Sequence, residues 1–415
     1  MKIHPRELPP RRAFVKHLAS CQGNVDYERA ITAAEWRCMI QARALAAERA
    51  EASARLAELM EQPAERREML MRNHRRFQTW GLLEHLIGYA WEQCFVDPLV
   101  AEGSAQLALR LADVLDEDFY GAERIEDLRA RAWGFVGNAR RIRFELDGAE
   151  EAFEIALDYL RHGTGDILER AFHFEFRAAL LRAQRRLAEA ERMLRRALRI
   201  YHELGETHRI GRALVSLSVG YEMMGTAERS IPLLQRAVEL IDLEQDPRLL
   251  WGAHHNLITA LAETGRFMEA QGFFIQARPL YARFSGGHFL NRRHWVAGKI
   301  ARGLGQIREA EAHLRAARQG FIALGAADDG ALVSLELATL YAEQKRTTEL
   351  KRIAEETLAV FSSRQIHREA LAAFSFLHQA ALAERASLEL VSGVAAFVKQ
   401  LQKDPNLAFV PPTVS

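Results

Sequence analysis

Cysteine and long apolar runs are scarce in this chain, and each absence excludes a class of protein. Its 415 residues include three cysteines, Cys21, Cys38 and Cys94, none of which forms a Cys-x-x-Cys pair. A sparse and odd number of cysteines argues against a disulfide framework and favours a reducing compartment. No apolar run reaches the roughly 18 residues of a membrane-spanning helix, and no apolar stretch follows the basic N-terminus as it would in a secretory signal. We therefore predict a cytoplasmic protein.

An excess of charge of one sign is also missing. The 56 Lys and Arg residues balance 55 Asp and Glu residues, for a formal net charge of +1. This balance argues against nucleic acid or a membrane surface as the partner, since both are held through a basic excess.

Signatures of catalysis are absent as well. Gly298-Lys299 lacks the spaced glycine and the hydroxyl of a phosphate-binding loop, and His202-Glu203 lacks the second histidine of a zinc protease helix. No Gly-x-Ser-x-Gly elbow is present. We predict no enzyme activity, no catalytic residue, no bound metal and no cofactor; an enzyme is the alternative that has no positive evidence.

What the chain has instead is an internal repeat. A small residue, an apolar residue four positions later and a small residue three positions after that form its pattern, as in Ala190, Leu194 and Ala197. Further copies follow at a constant interval, starting at Ser230, Ala270 and Ala310, and a degenerate fifth copy starts at Leu350. A turn residue precedes each copy by five positions: Arg185, Gly225, Gly265, Gly305 and Lys345. A large apolar residue follows by eleven: Tyr201, Ile241, Tyr281, Phe321 and Phe361. The spacing places these side chains on one helix face, and glycine ends a helix readily, so the repeat predicts helix–turn–helix pairs.

The segments AETGRFMEAQGFFIQA and ARGLGQIREAEAHLRAA make this repeat resemble the tetratricopeptide (TPR) family. The resemblance implies an all-α fold, a right-handed α-solenoid of antiparallel helix pairs. The period here is about 40 residues, whereas the usual TPR period is about 34 residues. The TPR-like part is predicted to span residues 66–365. A helical N-terminal arm at 1–65 precedes it, and capping helices with an irregular tail at 366–415 follow it.

Prolines add local predictions to this plan. The steps Asp97-Pro98 and Asp246-Pro247 are predicted to open helices, since proline suits the first helical turn. Pro279 falls near the end of a helix and is predicted to stop it.

In TPR-like proteins the first helix of each pair lines a concave groove, which implies where a partner would bind. Transferred by register, the groove residues are Arg182, Arg212, His255, Asn256, Arg292, Trp295, Lys299 and Arg302. Arginine and tryptophan commonly anchor protein interfaces, and few acidic residues, mainly Glu175 and Glu222, share these positions. The predicted partner is a protein or extended peptide of acidic or mixed charge. The alternative is ordinary solvated arginine on helix surfaces, because the chain is rich in arginine throughout.

Four of these residues form a stripe on one helix. Arg292, Trp295, Lys299 and Arg302 are spaced by three, four and three, which puts them on a single face. Trp295 is predicted to contact a ligand; if it is buried between helices, the stripe loses its anchor.

The N-terminus offers a second hypothesis. His17-x3-Cys21 is similar to the zinc motif of bacterial anti-sigma factors, with His4 as a further candidate ligand, but Asn24 stands where that motif has its second cysteine. We therefore predict no zinc there. The similarity implies a regulatory component of a bacterial signalling cassette, as a sigma-factor partner or the target of a regulatory protease, with a merely helical segment as the alternative.

Overall fold

The structure is a computed structural model that describes residues 27–94, 96–362, 368–403 and 407–411. These residues form α-helices joined by short connections, and no strand occurs within the described ranges. The predicted all-α class is confirmed. The N-terminal motif of His17, Cys21 and Asn24 lies outside the described residues, so its zinc prediction stays untested.

The chain divides into two compact units, one ending at Glu206 and the other beginning at Thr207. Unit 1 contains α1 (Tyr27–Met60), α2 (Ala64–Asn73), α3 (Trp80–Gln93), α4 (Pro98–Ala112), α5 (Glu117–Tyr120), α6 (Ala122–Ile142), α7 (Leu146–His162), α8 (Ile167–Ala183) and α9 (Leu187–Leu204). Unit 2 contains α10 (Thr207–Met223), α11 (Ala227–Leu240), α12 (Pro247–Glu263), α13 (Phe267–Gln276), α14 (Arg278–Ala282), α15 (Gly287–Gly303), α16 (Ile307–Ala323), α17 (Ala327–Glu343), α18 (Thr347–Ser362), α19 (Arg368–Leu382) and α20 (Leu388–Lys403).

Helices that are adjacent in sequence pack as pairs, and the pairs keep the predicted period. The short connections between paired helices force an antiparallel arrangement. We call the first helix of each pair its leading helix. Five leading helices start at the interval of the sequence repeat, at Ile167, Thr207, Pro247, Gly287 and Ala327. The predicted register of helix pairs is therefore confirmed.

The turn between paired helices has one conformation in all five copies. Gly225, Gly265 and Gly305 have φ of 75°, 76° and 74°, and Arg185 and Lys345 adopt the same left-handed region at 62° and 54°. In each copy the next backbone N–H bonds to the carbonyl five residues earlier, at 2.8 to 2.9 Å. This geometry terminates the leading helix and satisfies one of its last carbonyls. Glycine adopts it without strain, whereas arginine and lysine do not.

The small residues of the repeat lie at helix contacts, as predicted. Ala270 and Ala310 are fully buried, and the large apolar residues Tyr201, Tyr281 and Phe321 that end the pattern are buried as well. Each helix pair thus buries its apolar face against its neighbours within its unit, which is how repeat proteins build a continuous core.

Proline acts as predicted at two sites and differently at a third. Asp97 and Asp246 cap α4 and α12, whose first residues are Pro98 and Pro247. Pro279 was expected to stop its helix, and that prediction is wrong in part. Helix α13 ends at Gln276, but Pro279 then sits in the first turn of α14, where no backbone donor is needed.

The C-terminal helices depart from simple pair stacking. Helix α20 packs against α17 as well as against its partner α19. Phe409, beyond the last helix, contacts Phe376 and Phe397 with ring centroids 5.8 and 4.9 Å away. The capping role of these helices and the boundaries at residues 65 and 365 stay predictions.

Candidate functional site

Charged side chains from four helices of unit 2 meet in one ion-pair network. We call it the charged network, and its members are Glu263 on α12, Lys299 and Arg302 on α15, Glu336 and Glu343 on α17, and Lys399 on α20. Three successive leading helices therefore supply all of these residues except Lys399, which comes from the last helix.

Glu336 is the centre of the charged network. Its carboxylate lies 3.0 Å from Arg302 Nη1, 3.7 Å from Lys299 Nζ and 3.8 Å from Lys399 Nζ. Burial alone would raise the pKa of Glu336, but the three cations outweigh it and hold that pKa below its usual range. The carboxylate is therefore ionised at neutral pH and offsets the charge of Lys299 and Arg302, which are largely buried.

Two of the three predicted groove cations on α15, Lys299 and Arg302, also have further carboxylate partners. Lys299 Nζ lies 3.4 Å from Glu263, and Arg302 Nη2 lies 2.5 Å from Glu343. Neither of these carboxylates, nor Glu336, was predicted from the sequence. A signal was present, because Glu263 and Glu343 occupy the same position in repeats that are two copies apart.

Trp295 lies between core and surface. Its ring is half-buried and packs edge-on against Phe321 of α16, with centroids 5.9 Å apart, while Lys299 Nζ lies 4.9 Å from the ring centre. The indole N–H is buried and has no acceptor among the described residues. Trp295 therefore contributes to packing within its helix pair, in addition to any role in binding.

Arg292 differs from the other cations of the stripe. Its Nε lies 2.8 Å from His288 Nε2, and the structure places no carboxylate within ion-pairing distance of Arg292 among the described residues. Its charge is thus compensated only by solvent and a neutral ring, which leaves it able to bind an acidic group.

His255 and Asn256 have different environments although they are adjacent in sequence. His255 is buried and stacks on Trp251, with centroids 4.8 Å apart and an angle of 11°, and its Nδ1 lies 3.3 Å from Tyr281 Oη. Burial is the main reason that the pKa of His255 is lowered to about 3, so its ring is neutral and belongs to the helix packing. Asn256 is half-buried.

The remaining two predicted residues lie on separate units. Arg182 is on α8 of unit 1, and Arg212 is half-buried on α10 of unit 2. Burial, and then the neighbouring Arg141, lower the pKa of Arg182 to about 10, while Glu175 opposes them in part.

Within the described ranges, no three His, Cys, Asp or Glu side chains are arranged to hold a metal ion, and no helix is long and apolar enough to cross a bilayer. His294 and His313 do approach, with their Nδ1 atoms 3.0 Å apart, but they are only two.

Comparison with known proteins agrees with the repeat and the fold. Residues 168–242, which run from the second residue of α8 to just beyond α11, match the Tetratricopeptide repeat family. A search of curated protein sequences gives no match. Among solved structures, the chain is similar to a Rap protein complexed with competence and sporulation factor, at a TM-score of 0.53 and 12% identity over 77% of this chain and 87% of that one. It is also similar to the apo form of RapI, at a TM-score of 0.56 and 12% identity over the same shares. At this identity the likeness is one of fold.

Proposed function

We propose that the chain is a non-catalytic binding module that holds a partner protein or an extended peptide along the leading helices of unit 2. The observation that carries this proposal is the charged network together with Trp295 and Arg292, all on or beside successive leading helices. Glu263 and Lys399 are 40% and 43% exposed, so the edge of the network is open to solvent. A repeated row of such helices suits an extended ligand.

The partner we propose carries mixed charge. Lys299 and Arg302 are already paired with carboxylates of the chain itself, so they do not demand an acidic ligand. Arg292 can pair with a carboxylate of the partner, while the partly exposed carboxylate of Glu263 can pair with a cation of the partner. Charge pairs of this kind contribute mainly specificity and association rate.

The structural likeness supports a regulatory setting for this binding. One similar structure is of a Rap protein complexed with competence and sporulation factor, so a protein of this fold binds such a factor. The narrower proposals of a sigma-factor partner or a regulatory protease depend on His17 and Cys21, outside the described residues.

Site-specific photo-crosslinking tests the proposal. A photoreactive amino acid placed at Arg292 on α15 should capture a discrete partner from extracts of the native host, and excess wild-type chain should compete with the capture. The control position is Gln319, which is exposed on α16, the second helix of the same pair. Equal capture from both positions, or none from Arg292, would contradict the proposed face.

Once the partner is isolated, a charge reversal measures the contribution of this face. Arg292→Glu should weaken binding at least about fivefold, the equivalent of about 1 kcal/mol. Arg308→Glu makes the same change of charge at an exposed position on α16 and should leave the affinity unchanged. Similar losses in the two variants would show that net charge, and not the leading-helix face, determines binding.

A further inference from the structure

The outward face of α1 is apolar along most of its length, although α1 is the first described helix of the chain. Trp36, Met39 and Ile40 are 58%, 37% and 46% exposed. Exposed alanines continue their spacing of three and four residues along the helix: Ala46, Ala47, Ala50, Ala54 and Ala57. We call this surface the outer face of α1. The terminal helices of a repeat protein need a polar outer face to stay soluble, so this apolar one is expected to have a partner.

The opposite face of α1 makes the contacts with the rest of unit 1. Leu59 is fully buried there, and Arg49 pairs with Glu84 of α3 at 2.7 Å. Tyr120 Oη donates to the carboxylate of Glu48, also at 2.7 Å. The outer face therefore points away from the packing that the described residues provide, and α1 does not need it to join its own unit.

The outer face has its large side chains at one end and its small ones at the other. Trp36 and Ile40 lie in the N-terminal half, whereas the C-terminal half is lined by alanine. Two copies of α1 packed antiparallel therefore complement each other, since the large end of each copy meets the small end of the other. With Ala47 at the two-fold axis, Trp36 faces Ala57 of the second copy and Ile40 faces its Ala54. Such a contact uses the same surface on both copies, as a two-fold dimer requires.

Charge on the outer face favours the same arrangement. Arg43 interrupts the face near its middle, and in the antiparallel register it lies beside Glu51 of the second copy. Glu51 pairs with Arg55 of its own helix at 3.1 Å but is 63% exposed, so it can accept a second cation. Within one copy Arg43 and Glu51 are eight residues apart, beyond the three or four of an ordinary helix pair. A parallel arrangement would set Arg43 against Arg43 and Trp36 against Trp36, which charge and size both disfavour.

The outer face is also large enough for a dimer. From Trp36 to Ala57 it covers 22 residues, about 33 Å of a helix that is about 10–12 Å wide. Packing half of that cylinder against its copy buries roughly 1,000–1,200 Å² in total, at the low end for a specific interface. The residues between Pro10 and Tyr27 could cover only part of the same face, because they span at most about 24 Å as a helix.

We propose that α1 is a homodimerisation helix, whose outer face packs antiparallel against the same face of a second copy of this chain. The modest area gives a reversible dimer, with a dissociation constant in about the micromolar range. The interface belongs to unit 1, whereas the charged network belongs to unit 2. It stands whether or not the leading helices of unit 2 bind a partner.

Sedimentation equilibrium of the full chain tests the dimer. Trp36→Glu should weaken dimerisation at least about tenfold and, since Trp36 is largely exposed, should leave the helical content of the monomer unchanged. Met268→Glu makes the same kind of change at a side chain that is 71% exposed on α13 and should dimerise like wild type. A wild-type chain that stays monomeric at about 100 µM, its outer face covered by its own preceding residues or by another protein, would overturn the proposal. A dimer that Trp36→Glu does not weaken would overturn it as well.

A charge exchange tests whether Arg43 meets Glu51 between copies. Arg43→Glu and Glu51→Arg should each weaken the dimer, because each sets like charges against one another across the interface. The double variant restores opposite charges and should dimerise more tightly than either single variant. A double variant as weak as the singles would show that the two residues do not meet, and the antiparallel register would be wrong.

Cross-linking through single cysteines distinguishes antiparallel from parallel packing. In a chain with Cys21→Ser and Cys38→Ser, Ala47→Cys lies at the two-fold axis, so a short bismaleimide should join two copies through it. Ala57→Cys is the matched control on the same face, because in the antiparallel dimer it lies about 30 Å along the helix from its counterpart and should not cross-link. Equal cross-linking at both positions, or none at Ala47→Cys, would overturn the proposed arrangement.

Discussion

Replacing Glu336 with glutamine should destabilise unit 2 more than any other single change in the charged network. Glu336 is the carboxylate that faces three cations, and its side chain is 14% exposed. Glutamine has nearly the same shape and keeps an acceptor oxygen, so the variant removes charge while leaving volume and packing intact. Lys299 and Arg302, which are themselves largely buried, would then be under-compensated.

The expected loss follows from the burial of these cations. Removing one partner of a buried ion pair costs about 3–5 kcal/mol, because an uncompensated charge is left in a poorly solvated site. We expect the lower end, about 3 kcal/mol, since Lys299 keeps Glu263 and Arg302 keeps Glu343. For a domain of roughly 200 residues, this lowers the melting temperature by about 6–12 °C.

Circular dichroism melts at neutral pH would measure the effect. The control is Glu343→Gln, which removes a more exposed carboxylate that pairs with Arg302 alone and should cost less than about 1 kcal/mol. If Glu336→Gln melts within about 2 °C of wild type, the cations are better solvated than the structure indicates and the reasoning is refuted.

The same variant should change the response to acid. The folded pKa of Glu336 lies below its ordinary value, so the unfolded chain binds its proton more tightly than the folded chain does. The stabilisation by Glu336 is present above the unfolded pKa, about 4.3, and is lost as pH falls through the folded pKa. Glu336→Gln should therefore reduce the acid-dependent part of the unfolding free energy. An unchanged slope below about pH 4.3 would contradict the assigned pairing.

Four further substitutions test the fold, each by melting or denaturant titration. Ala270→Leu should overpack a fully buried helix contact and cost about 1–3 kcal/mol; wild-type stability would mean that the helix register is wrong. Lys345→Gly should gain about 1 kcal/mol by relieving a left-handed φ of 54°, and Gly305→Ala, at 74°, should lose about as much; the same sign in both would refute the turn argument. His255→Phe should reduce the loss of unfolding free energy at acid pH. A folded pKa of about 3 makes the wild type lose stability as pH falls below about 6.5, and phenylalanine has no proton to bind.

The register of helix pairs could be predicted because it depends on short-range rules that recur in every copy. Spacings of three and four residues mark one helix face, and Gly225, Gly265 and Gly305 mark the left-handed turn. Position within the repeat then identified Arg185 and Lys345 as turn residues although neither is glycine. Pro279 shows the limit of such rules, since a local signal predicts a stop but does not show that the helix resumes after one turn.

The charged network could not be predicted in the same way, because its contacts join different helices. On α15 alone, Lys299 and Arg302 look like free cations, and their partners Glu263 and Glu336 lie 36 and 34 residues away from them in sequence. Helix α20 lies outside the repeat register, so no periodic pattern places Lys399 beside α17. Periodicity predicted which residues share a face, whereas the charge of that face depends on how the neighbouring faces meet.

This compensation changes what the candidate face can contribute to binding. Had Lys299 and Arg302 been free, they would attract an acidic partner over distances near the Debye length, and binding would depend steeply on salt. Their charges are instead cancelled within a few ångströms by Glu263, Glu336 and Glu343. Arg292 is then the stripe cation left to attract a partner at long range. Affinity at this face must therefore come mainly from short-range contacts, in which a partner's own charges replace solvent at the open edge of the network.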